Sequence, residues 1–225
     1  MTANTNSFDV KTFIDSFWNE PGLRRSLDKV YEIVVFALFS TLVDSMDMQI
    51  QISINKSNLP LLQEFEDFSK KVMCLDTSNP ISAQNARIYR VGITNAADRG
   101  LDMYSNWGPA IQIKHLTLNT ELAESIVGSV SSEKIIIVCK DIEKKIIVSL
   151  LSQIGWNNRI QSIITENDLI LWYEKALRGT YSTVLGKQLL ATLCEQISEE
   201  FPSVDDIPEV LRNRHYERFS EFFST

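Results

Sequence analysis

The run Lys134-Ile-Ile-Ile-Val-Cys139 limits this chain more than any other stretch. It is almost continuously apolar, so a strand made from it must be covered on both faces, as interior strands of parallel sheets are. The residues C-terminal to it fit such a sheet. A helix is expected over residues 142–154, closed by Gly155, and a second strand over 159–165. Thr165-Glu-Asn-Asp168 resembles a capping box, with Asp where Glu is usual, and predicts a helix through Leu177 that Arg178-Gly179 ends. Strand, helix, strand, helix is the βαβ order.

Upstream, residues 98–118 predict a hairpin. Leu101 to Tyr104 is the first strand; Ser105, Asn106, Gly108 and Pro109 are turn formers; Ala110 to Leu118 is the second strand. Alternation puts Ile111 and Ile113 on one face and Gln112 and Lys114 on the other. Leu101 and Met103 share a face, and Asp102 points the opposite way. If the strands pair, Asp102, Gln112 and Lys114 converge on one edge of an otherwise apolar sheet. A carboxylate, an amide oxygen and an ammonium suit a hard divalent cation and an anionic phosphate. The same pattern also fits the polar face of a half-exposed hairpin, and periodicity does not choose between them. The expected class is α/β: a mixed central sheet, antiparallel at the hairpin and parallel behind it, with flanking helices.

Residues 8–18 predict a short amphipathic helix broken by Pro21-Gly22. Over 23–46 Leu27, Val30, Val34, Leu38 and Leu42 recur every three or four residues, and Ile33, Phe36, Ala37 and Phe39 widen the stripe. Glu32 lies inside that apolar helix, where an acid is costly unless paired or given a cation. It either meets Lys29 or solvent, or faces the sheet-borne site. A short strand is expected over 49–54, a helix over 61–73, a polar surface loop over 76–85 and an extended segment over 87–93. Further helices are expected at 119–130, at 185–197 and from 203 to about 222; the last carries Arg212, Arg214, His215 and Arg218, a solvated face or a phosphate or dimer contact. His115 shares the face of Ile113, which favours a structural role.

The 225 residues fit one domain, 1–225, with helical additions at both ends. Cys74, Cys139 and Cys194 form no zinc or CxxC spacing, no basic leader precedes an apolar run, and the apolar stretch 33–43 is too short for a bilayer. A soluble cytoplasmic protein is the expectation, with no membrane partner. The net charge of −7, from 22 Lys and Arg against 29 Asp and Glu, weighs against a non-specific nucleic-acid coat. It leaves room for a nuclease, since a bound cation brings its own positive charge. No glycine-rich phosphate loop, HExxH or GxSxG motif is present.

Asp102, followed ten residues on by Gln112-Ile-Lys114, resembles the PD-(D/E)XK core of type II restriction endonucleases. The fuller string from Tyr89-Arg-Val-Gly-Ile through Asp98-Arg-Gly-Leu-Asp102 to Asn106-Trp-Gly-Pro109-Ala-Ile-Gln-Ile-Lys-His-Leu116 is similar to the HaeII-like group. Leu27-Asp-Lys-Val-Tyr-Glu32-Ile and Ile163-Ile-Thr-Glu-Asn-Asp-Leu-Ile-Leu-Trp-Tyr173 add to it. The resemblance implies a restriction-endonuclease-like core and a Mg²⁺-dependent, sequence-specific endonuclease in a restriction-modification system. It further implies duplex DNA with a short palindromic site as substrate, and a homodimer. Asp102 would bind Mg²⁺ and Lys114 would orient the attacking water. Gln112 stands where most members have a carboxylate, and Leu101 where they have proline; Glu32 would supply the missing acid, with Asp98 as the local rival. The departures keep a rival open, a non-catalytic nucleic-acid-binding or interaction module on a decayed nuclease core. A structure-directed repair nuclease is a third reading. Arg87, Arg90, Asn95, Arg99, Asn106, Asn157, Asn158 and Arg159 are the candidates for contacts to base edges.

Overall fold

The computed structural model describes residues 5–20, 23–91, 101–143 and 159–201. The helix expected over 142–154 and the basic C-terminal helix therefore fall wholly or largely outside the described residues, as do Asp98, Asn95, Arg99, Asn157 and Asn158.

Two helices open the fold: α1 (Val10–Asn19), capped where the Asp9 side chain accepts from the Thr12 N–H, and α2 (Leu27–Ser45). The strands β1 (Gln49–Ser53) and β2 (Ile81–Asn85) enclose two short helices, α3 (Leu59–Glu64) and α4 (Glu66–Met73). After them come β3 (Ile88–Arg90), β4 (Met103–Ser105), β5 (Ala110–Leu118), α5 (Thr120–Ser129), β6 (Ile135–Ile142) and β7 (Ile160–Thr165). The helices α6 (Glu166–Arg178) and α7 (Ser182–Glu200) complete the described chain.

β3 to β7 form one sheet in the order β3-β4-β5-β6-β7, antiparallel at β3-β4 and β4-β5 and parallel at β5-β6 and β6-β7. This is the mixed sheet with flanking helices of a restriction-endonuclease-like core. Helices α1, α2, α6 and α7 cover one face, packing Phe13, Tyr31, Val34, Leu169 and Leu189 with Met103, Ile111, Ile113 and Val138. α5 covers the other, where Ala123 and Ile126 meet Ile135, Ile137 and Cys139. Every residue from Ile135 to Cys139 is buried or nearly so, as an interior strand requires.

α2 is buried almost all round because it lies between the sheet and two further helices. Its position is pinned at both sides: Tyr31 donates to the Cys139 carbonyl at 3.3 Å, and the Tyr173 hydroxyl donates to the Val34 carbonyl at 2.8 Å. The capping box at α6 is complete, with Thr165 N donating to Asp168 Oδ2 at 2.8 Å and Asp168 N donating to Thr165 Oγ1 at 3.4 Å. Aspartate serves at the third position because its shorter side chain still reaches the cap N–H.

Three expectations need correction. Residues 81–85 are not loop: Ile81–Asn85 pairs antiparallel with β1, from Gln49↔Asn85 to Ser53↔Ile81. The expected helix over 61–73 is two short ones hinged at Phe65. β6 runs on to Ile142, the expected first residue of a helix, because its far end still pairs with Thr117 and Leu118 of β5.

Candidate active site

The antiparallel ladder between β4 and β5 pairs Tyr104 with Ala110 and Met103 with Ile111, and then stops. Asp102 comes next along the chain. Its backbone carbonyl accepts from the Val91 N–H, and its side chain takes over the next β5 donor: Ile113 N donates to Asp102 Oδ2 at 2.7 Å. A side-chain carboxylate thus stands where a backbone carbonyl would continue the sheet, and its orientation is fixed by a charge-assisted bond. Lys114 is the next residue of β5, and its Nζ lies 3.9 Å from the same Oδ2. The geometry is an ion contact at the edge of range, with the ammonium one-third exposed and the carboxylate largely buried.

Gln112 precedes Lys114 by two residues. The alternation that sends Ile111 and Ile113 into the α2 side places it on the opposite face. It is 1% exposed, and its Nε2 is buried with no partner among the described residues. A buried amide donor left without a partner costs roughly 1–3 kcal/mol.

Glu32 arrives from α2. Both its oxygens accept from Lys29 Nζ, at 2.9 and 3.2 Å, as the pairing expectation has it. Burial pushes its carboxyl above the usual range; the Lys29 bond opposes this, and the Asp102 charge pushes it up further. Asp102 is also raised, again chiefly by burial, against the Ile113 N–H and the Lys114 charge. Two carboxylates that each resist ionisation therefore lie within electrostatic reach of each other, with two ammonium groups beside them.

Such a pair of acids is chemically suited to a hard divalent cation. Carboxylate oxygens are among its preferred donors, and a cation removes the cost that burial places on both acids. Gln112, on the other face, is not brought into contact with them. Among the described residues no group of three His, Cys, Asp or Glu could hold a metal ion.

His115 is where alternation predicts, on the α2 side. It is buried against Tyr31, with ring centroids 4.9 Å apart, and its Nε2 lies 3.6 Å from Glu166 Oε2. Arg90 is not free to read bases: its side chain is 5% exposed and ion-paired with Glu200, and its charge helps to offset that of Glu32. Arg159 is likewise committed, donating to the carbonyls of Val127, Val130 and Ser132 at and beyond the C-terminal end of α5. Asn106 fastens β3, accepting from Arg87 N at 2.8 Å and donating to the Asn85 carbonyl at 2.9 Å. Of the described candidates for base contact only Arg87 stays exposed with its side chain uncommitted. The environment of Arg90 has no signal in the sequence because Glu200 lies 110 residues away.

The family model for the HaeII restriction endonuclease matches residues 1–216. The chain is 53% identical over 215 residues to the type II restriction enzyme HaeII of Haemophilus aegyptius, covering 95% of this chain and 61% of that protein. It is 51% identical over 214 residues to the type II restriction enzyme NgoBI of Neisseria gonorrhoeae, covering 94% and 60% respectively. It thus spans about 60% of the length of these curated relatives. No solved structure matches. Among the described residues no helix is long and apolar enough to cross a membrane. With nearly its whole length matched by the family and two relatives more than half identical, the chain belongs to the HaeII restriction endonuclease family.

Proposed function

We propose that the chain carries the nuclease centre of a type II site-specific deoxyribonuclease, hydrolysing phosphodiesters in both strands of duplex DNA within a cytoplasmic restriction-modification system. Residues 1–225 form one restriction-endonuclease-like domain in this reading. The observation that carries it is the Asp102 carboxylate, held by the Ile113 N–H, with Lys114 Nζ 3.9 Å away on the neighbouring strand. A polar hairpin face with no function has no reason to bury an acid against its ionisation.

Asp102 and Glu32 would hold Mg²⁺, with Glu32 preferred to Asp98 because it is buried beside Asp102. When bound, the ion neutralises charge on the scissile phosphate and lowers the pKa of a water. The chain's own groups do the rest. Lys114 directs its ammonium at the attacking water and at the phosphate oxygens, where negative charge grows as the water oxygen bonds to phosphorus and the 3′ oxygen departs. Ile113 N–H keeps Asp102 in place during that change. Lys29 shields Glu32 until the acid is needed. Each site cuts one strand, so a palindromic duplex site calls for a two-fold homodimer.

Incubation with plasmid DNA and Mg²⁺ tests the reading. Discrete fragments are expected, and none from Lys114→Ala with an unchanged circular dichroism spectrum. The amide at position 112 favours one rival, a binding module on a decayed core. Binding of duplex DNA without cleavage in Mg²⁺ or Mn²⁺ would establish that rival.

A further inference from the structure

Trp18, in the last turn of α1, is 48% exposed, and two cations from other parts of the chain gather on its ring. Arg24 Cζ lies 5.4 Å from the ring centroid and Lys140 Nζ 5.5 Å. Arg24 belongs to the turn Arg24–Ser26 that leads into α2, and its Nε donates to the Trp18 carbonyl at 2.8 Å. Lys140 comes from β6. Both side chains are exposed, and neither forms an ion pair with a carboxylate among the described residues. Lys140 helps to hold the Glu166 carboxyl down, but from beyond contact distance. A ring face attracts cations without carrying a full negative charge, so two like charges held on it still repel each other. The pair lacks an anion.

The sheet register fixes where that anion would lie. Lys114 of β5 is level with Cys139 of β6, and Lys140 is the next residue. Cys139 faces α5, so alternation puts Lys140 on the α2 side, from which Glu32 arrives. The Trp18 ring is 6.1 Å from that of His115, the residue after Lys114. The cluster therefore flanks the strand segment that carries Lys114. In a chain of net charge −7, two uncompensated cations beside that segment are not a general property of the surface. A phosphate oxyanion suits both of them. A guanidinium meets it with paired N–H donors and an ammonium as a point charge. Because the Trp18 carbonyl takes only Nε, the terminal nitrogens of Arg24 are left for a ligand.

We propose that Arg24 and Lys140, held on Trp18, each contact a backbone phosphate of the duplex outside the scissile position. This rests on duplex DNA being the substrate of the proposed nuclease, and it adds two residues that position that substrate. Such contacts set the register of a protein on the duplex and carry no sequence information.

Fluorescence anisotropy with a fluorescein-labelled duplex of random sequence, with Ca²⁺ in place of Mg²⁺ and over a series of salt concentrations, tests it. Arg24→Gln and Lys140→Gln should each reduce the slope of log K against log salt by about one, and the double variant by about two, with unchanged circular dichroism spectra. Arg24→Lys and Lys140→Arg keep the charge and should keep the slope. Lys71→Gln, on α4, should leave it unchanged. Trp18→Ala should weaken binding more than Trp18→Phe, which keeps a ring under both cations. The two positions are tested singly, so a variant that fails to fold leaves the other to decide. Unchanged slopes in the glutamine variants, an equal reduction in Lys71→Gln, or no binding by the wild type at low salt would overturn the proposal. Plasmid cleavage is read separately. Cleavage with unchanged slopes removes these contacts alone, and reduced slopes without cleavage remove the nuclease reading alone.

Discussion

Glu166 and Asp102 are both largely buried carboxylates that meet β5, one through His115 and the other through Ile113 and Lys114. His115 beside Glu166 holds its carboxyl below the usual range, more strongly than burial raises it. At Asp102 burial wins over its partners, and at Glu32 it wins even over two contacts from Lys29. Neighbouring residues of one strand thus carry a compensated acid and an uncompensated one. The first kind locks an element, here α6 onto β5. The second costs stability and persists where something other than the fold makes use of it.

Lys114→Ala breaks the comparison most sharply. It removes the ammonium from the uncompensated side and leaves the compensated side intact. Loss of one preorganised group that stabilises transition-state charge costs about 10²–10³ in rate. Cleavage should fall by at least that much in a plasmid assay, while thermal denaturation shows little change, since the 3.9 Å contact is partly exposed and weak.

The mirror experiment is Glu166→Gln. His115 then faces a neutral amide, and stability should fall by about 1 kcal/mol, the typical net worth of one hydrogen bond. The pH dependence has a definite sign. A carboxyl lowered in the native state adds stability above its unfolded pKa and loses it as pH falls through the native value. Urea denaturation should show the deficit at neutral pH and its disappearance in acid. Cleavage at saturating DNA should survive.

How much of this is open to the sequence depends on the range of each interaction. α2, β5 and the capping box at Thr165 show themselves in local period and spacing, and their outlines hold; β6 shows itself too but runs on to Ile142. The meeting of Asp102 with Lys114 is legible because a hairpin carries alternation across a short turn. β2 is not, since Ile-Ser-Ala-Gln-Asn has almost no strand pattern of its own and becomes a strand by pairing with β1. Arg90 and Arg159 look like DNA ligands until Glu200 and the carbonyls around the end of α5 are seen to claim them. That Ile113 N–H fixes Asp102 depends on where a ladder stops, which no residue type announces.

Lys29→Met sharpens the contrast within the uncompensated side. Glu32 loses the bond that opposes its rise, so its carboxyl should move further up. The acid limb of the cleavage–pH profile should then shift to higher pH, with cleavage on the alkaline plateau reduced less than in Lys114→Ala. An unmoved acid limb would mean that ionisation of Glu32 does not limit the reaction.

The smallest expected effect on stability is the most direct measure of the difference. Asp102→Asn keeps an oxygen that can accept from Ile113 N–H and removes only the charge. Because burial raises the native carboxyl above its unfolded value, the native state holds its proton more tightly. Below the ordinary aspartate range both states are protonated, and the charge costs nothing. As pH climbs from the unfolded value to the native one, the wild type loses stability, and above the native value the loss is complete. The asparagine protein has no such loss. Its Tm should therefore exceed that of the wild type at neutral pH and converge with it in acid, while cleavage is abolished. Glu166→Gln runs the other way over the same titration. Should Asp102→Asn instead lower Tm at neutral pH, the carboxylate would be as well compensated as Glu166, and the argument for a site at this strand edge would lose its electrostatic support.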